Sequence, residues 1–153
     1  MIKQSCFLLL LCFLVTLPRG LKAAECDFQD GGYCVDAISK ETFQAIEKSS
    51  GEAAGRIRAA GEKTGFGKLN EMVLTPSSLY VQYETLWDGL TQAGMASESE
   101  KKTAFEEAGE AGGTKIGGVN LVVLAARTLQ KLADLKLLTM EEAQGILDRS
   151  RRR

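Results

Sequence analysis

Histidine is absent from the 153 residues. That absence removes triads built on a histidine base, histidine-ligated zinc and the commonest general acid–base catalyst. Cysteine is scarce. Of four, Cys6 and Cys12 lie in an apolar N-terminal block, leaving Cys26 and Cys34 for the rest of the chain. An even pair in an oxidising compartment reads as one disulfide. It closes a loop of about nine residues, worth about 2.6 kcal/mol on the chain-entropy relation, and a bridged pair leaves no thiolate nucleophile. A long hydrophobic run is missing too, since the apolar block from Cys6 to Leu17 falls well short of the roughly 20 residues a membrane-crossing helix needs.

What that short block resembles is a secretory leader. Lys3 precedes it, and Pro18, Arg19, Gly20, Ala23 and Ala24 follow, in the order of the positive, apolar and small-residue parts of a signal peptide. Residues 1–23 are therefore expected to be cleaved, and the protein to be periplasmic or secreted. Glu25 stands before Cys26, where lipoprotein processing needs a small residue, so an acylated N-terminus is rejected. Removing Lys3, Arg19 and Lys22 with the leader leaves 16 basic against 20 acidic residues, a net charge of −4. An acidic balance argues against nucleic acid as a partner.

The remaining residues, 24–153, have the size of one domain: a disulfide loop at 24–38, a helical bundle at 39–150 and a basic tail at 151–153. Phe43, Ile46, Ala53, Ile57 and Ala60 recur at three- and four-residue steps and predict an amphipathic helix over roughly 39–62. Its small-sided stripe, Gly51 to Gly55, is spaced for close backbone packing, within the bundle or in a homodimer. Thr75 and Pro76 open a second helix carrying Leu79, Tyr80, Tyr83, Leu86, Trp87 and Leu90, with Gly94 placed to end it. Ser97 with Glu100 and Thr139 with Glu142 are capping boxes that open a third and a fifth helix. A fourth follows Gly117 and Gly118 with Leu121, Leu124, Leu129 and Leu132. No strand alternation and no fixed-period repeat is visible, so the expected fold is all-α, a bundle of about five helices.

The motifs that suggest chemistry are incomplete. Asp27, Asp30 and Asp36 surround a Gly31-Gly32 turn, yet Gln29 and Gly31 occupy positions where a calcium loop needs acids. Asp30-Gly31-Gly32 is read instead as the turn that lets the cysteines meet. Gly61 to Lys68 and Gly112 to Gly118 look like phosphate loops, but neither has Lys followed by Ser or Thr. Glu84, among aromatics, is the one acid placed for carboxylate catalysis on a cell-wall glycan.

No catalytic residue, cofactor or metal site is assigned. The leading expectation is a non-enzymatic exported binding or adaptor protein, acting on a protein partner in secretion or assembly, or as a toxin inhibitor. A membrane-active, toxin-like protein is the alternative, with the glycan hydrolase third. Partner-surface candidates are Tyr80, Tyr83 and Trp87, since Tyr and Trp dominate binding hot spots, although at helical spacing beside leucines these aromatics suit a core. The C-terminal Arg149, Arg151, Arg152 and Arg153 are the others, suited to an acidic partner or to peripheral contact with anionic lipid. Leu132 to Ala143 resembles short C-terminal helical hairpins in which a Leu-rich helix meets a Thr-x-x-Glu cap, a resemblance that names no family.

Overall fold

A computed structural model describes residues 26–64 and 75–151. The expected leader, the C-terminal part of the glycine-rich stretch at 61–68, and Arg152 and Arg153 lie outside the described residues. Among the described residues, two short antiparallel strands, β1 (Gln29–Asp30) and β2 (Tyr33–Cys34), precede six helices: α1 (Val35–Lys48), α2 (Glu52–Thr64), α3 (Pro76–Gln92), α4 (Glu98–Glu110), α5 (Leu121–Asp134) and α6 (Met140–Ser150). Gln29 pairs with Cys34 and Asp30 with Tyr33. Gly31 and Gly32 connect the strands, both at positive φ, as a tight two-residue hairpin turn demands.

The helix expected over 39–62 is two helices, which raises the count from five to six. α1 ends at Lys48; Ser49 is extended, and its hydroxyl and amide both bond the Ile46 carbonyl. Gly51 then takes φ 101°, a conformation closed to residues with a Cβ, and the chain re-enters a helix at Glu52. Gly51 thus serves the break. The close packing within the bundle expected at Gly51 to Gly55 is not present either: both glycines are exposed, and a Cβ on either would touch nothing within 4 Å. α2 instead buries Ala54, Ile57, Ala60 and Gly61, packing chiefly on α3.

α1 also begins earlier than its apolar pattern suggested, at Val35, so the disulfide loop ends at Cys34 and not at 38. Its buried residues are Val35, Asp36, Ile38, Ser39, Thr42, Phe43 and Ile46, of which three are polar. Two of these are satisfied within the bundle: Ser39 Oγ bonds the Val35 carbonyl and the Tyr83 hydroxyl, and Thr42 Oγ1 donates to the Ile38 carbonyl.

The other starts follow their caps. Thr75 and Ser78, Ser97 and Glu100, and Thr139 and Glu142 form reciprocal capping boxes at α3, α4 and α6, and Asn120 caps α5. α5 lies against α1, α3, α4 and α6, and its Leu121, Leu124, Leu129 and Leu132 are fully buried with Leu79, Leu86 and Leu90 of α3. That shared layer is the core.

Candidate functional site

The disulfide joins Cys26 to Cys34 with Cα atoms 5.8 Å apart. Asp36, two residues into α1, folds back on the loop: its Oδ2 accepts the amides of Asp27 at 2.6 Å and Phe28 at 3.1 Å. Asp30 Oδ2 accepts from the Asn120 side chain at 2.9 Å, which also donates to the Gly112 carbonyl while its own oxygen caps α5. Two of the three acids that suggested calcium, Asp30 and Asp36, thus bind the hairpin to the bundle. Among the described residues, one group lies close enough together for a metal, Cys26, Cys34 and Asp36, but bridged sulfurs are not thiolate ligands.

Of the C-terminal arginines, the two described, Arg149 and Arg151, lie along this edge. Arg151 pairs with Tyr33 as an isolated antiparallel bridge, donates to the Tyr33 hydroxyl at 2.8 Å and lays its guanidinium over that ring. Arg149 folds back over Gly145 and donates from Nε to Glu41 Oε1 at 3.0 Å. Between α1, α6 and the link before α6 lies an open cleft of about 400 Å³. Leu138 and Ile146 form its buried floor, with Ala45 and Leu137 half-buried beside them, and Lys48 and Arg149 stand on its rim. Glu41, Gln44, Ala45 and Lys48 share one face of α1, offset from the core face. That second stripe falls within the helix expected over 39–62, but Glu41, Gln44 and Lys48 are polar, so apolar spacing does not mark it.

The aromatic candidates separate. Tyr83 and Trp87 are core residues and leave the partner surface. Tyr83 is wholly buried on Ser39, and burial pushes its phenol well above the ordinary 10.0, the Ser39 hydrogen bond opposing. Trp87 donates its indole N–H to Thr128 Oγ1 at 3.0 Å. Tyr80 is half-buried, edge-on to Phe105 and against Gly117. Burial raises its phenol, and the neighbouring Glu84 carboxylate raises it further. Glu84 thus faces the Tyr80 hydroxyl at a surface where Lys101 pairs with Asp88.

A second depression, about 330 Å³ over Trp87 between α4 and α5, is edged by the Glu100–Lys131 and Glu107–Arg127 pairs. No described helix is long and apolar enough to cross a membrane. Comparisons with known protein families, curated proteins and solved structures find no match to this chain.

Proposed function

We propose that this is an exported, non-enzymatic helical protein that binds a protein partner through the cleft between α1 and α6. The observation that carries the reading is the cleft's make-up. An apolar floor of Leu138 and Ile146 sits under a charged rim, where Lys48 is exposed and Arg149 bonds Glu41 through Nε. A side chain from a partner would be desolvated on that floor while rim charges fix its register, the usual division of labour in an interface. The depression over Trp87 already has both of its cations, Arg127 and Lys131, paired across it with Glu107 and Glu100. Export is supported by the leader pattern at 1–23 and by the disulfide, a bond that persists in oxidising compartments.

Ala45→Arg tests the reading by filling the cleft from a half-buried helical position. Affinity capture from the exported fraction with the parent protein should return one stoichiometric protein, lost with Ala45→Arg at unchanged melting temperature. Capture that survives the substitution would move the binding surface elsewhere, and no partner even after crosslinking would remove the binding function.

A further inference from the structure

The disulfide sits in a setting that a purely structural staple does not need. Both sulfurs and a carboxylate oxygen of Asp36 lie within 4.8 Å of one another. Asp36 is 7% exposed, and while Oδ2 takes two backbone amides, Oδ1 is buried with no hydrogen-bond partner. A buried acceptor left unpaired is costly and calls for an explanation. Cys26 Sγ lies 3.1 Å from the Phe28 carbonyl oxygen, a contact that holds no hydrogen while the sulfur is bridged. Cys26 therefore has a carbonyl oxygen beside it for which only a thiol carries the proton, and a carboxylate oxygen of Asp36 lies within 4.8 Å of both sulfurs.

The two cysteines also differ. Cys26 is half-buried and reachable, whereas Cys34 is 3% exposed and is the N-cap residue of α1, where its side chain makes no capping bond. A helix N-terminus favours negative charge and so favours a departing thiolate.

We propose that Cys26, Cys34 and Asp36 form a thiol–disulfide exchange site for a dithiol reductant, with Asp36 Oδ1 as the acceptor for the Cys34 thiol. One sulfur of the dithiol, as its thiolate, attacks Cys26 Sγ. The S–S bond breaks, and its electron pair leaves on Cys34. Cys34 takes up the proton released by the dithiol's second thiol and turns its S–H onto Asp36. That second sulfur then attacks the mixed disulfide, forming the reductant's own disulfide and freeing Cys26, which is protonated from solvent and donates to the Phe28 carbonyl. Two electrons and two protons pass to the protein. The inference is independent of the cleft and its partner, and it assigns the hairpin a chemistry beyond holding the fold.

Asp36→Asn is the discriminating variant, because an amide oxygen still accepts the Asp27 and Phe28 amides while an NH2 replaces the orphan acceptor. Oxidised full-length protein is equilibrated in mixtures of reduced and oxidised dithiothreitol, and free thiols are counted by alkylation and intact mass. The parent should be reduced reversibly with its helical circular dichroism retained. Asp36→Asn should need a mixture about tenfold more reducing, the equilibrium equivalent of one unpaired buried acceptor, with the oxidised form melting as the parent does. An unchanged equilibrium in the variant, or loss of helicity on reduction of the parent, would overturn the proposal. Independently of any variant, brief exposure of the parent to glutathione should leave the mixed disulfide on Cys26; an adduct found on Cys34 instead would refute the direction of attack.

Discussion

Lys136 holds a backbone conformation that lysine does not favour. It is the one non-glycine residue at positive φ among those described, 60°, and it follows the last turn of α5, where the amides of Lys136 and Leu137 bond the carbonyls of Ala133 and Leu132. That is a Schellman ending, which glycine usually supplies. Lys136→Gly should raise stability by about 0.5–1 kcal/mol in chemical denaturation, the relief of left-handed strain exceeding glycine's extra chain entropy. Thr128 is the opposite case, a polar residue that the core needs. Its hydroxyl accepts the Trp87 indole N–H and donates to the Leu124 carbonyl. Thr128→Val keeps the shape but strands a buried donor, so denaturation should show a loss of about 1–3 kcal/mol.

Helix ends carry much of what joins one element to the next. Glu100 closes the capping box of α4 through the Ser97 amide at 2.7 Å and also accepts from Lys131 of α5 at 2.8 Å. The Lys131 hydrogen bond, with the Ser97 amide behind it, holds the Glu100 carboxyl below its ordinary 4.5. A carboxyl depressed in the folded state stabilises fully above its unfolded value and loses that contribution as the pH falls through the folded value. Melting temperatures taken from pH 6 down to pH 3 should therefore fall more steeply for the parent than for Glu100→Gln; parallel curves would show the pair to be inert. Arg56 of α2 plays a comparable part, donating to the Ala93 carbonyl at the end of α3, where a cation complements the helix dipole. The hairpin behaves as an element of its own. Cys34→Ser should cost about 2–3 kcal/mol on the loop-entropy relation, with the far-ultraviolet helical signal retained because the six helices bury their own faces.

Across the whole molecule, the first and last described residues are drawn to one edge. Cys26 is bonded to Cys34, Tyr33 beside it holds Arg151, and Arg149 reaches Glu41 of α1. The disulfide hairpin and the end of α6 thus brace the two helices that wall the cleft. Arg151→Ala should speed hydrogen exchange at the hairpin amides while leaving α3 and α4 protected at the parent level. Uniform acceleration through all helices would mean that the bridge supports the global fold and not this edge alone.

The helical class, the capping boxes at Ser97 and Thr139, the Thr75 cap, the glycine turn and the cysteine pairing were legible from residue types and spacing, because each depends on groups within a few residues of one another. The split between α1 and α2 was half legible: Ser49, Ser50 and Gly51 are helix-weakening residues, yet the apolar pattern runs through them and only packing decides where a helix stops. Tyr83 and Trp87 lay open between core and surface, since a stripe does not say what it faces; Ser39 and Thr128, polar partners 44 and 41 residues away, made both core. Asp36 was legible only as an acid near the glycine turn, since which of its oxygens finds a partner depends on how the hairpin folds back on α1. A groove between α1 and α6 is a property of distance and burial between segments far apart in the chain. Local spacing carries the tendency to form an element, whereas a site exists only once those elements are packed and some of their polar groups have found partners and others have not.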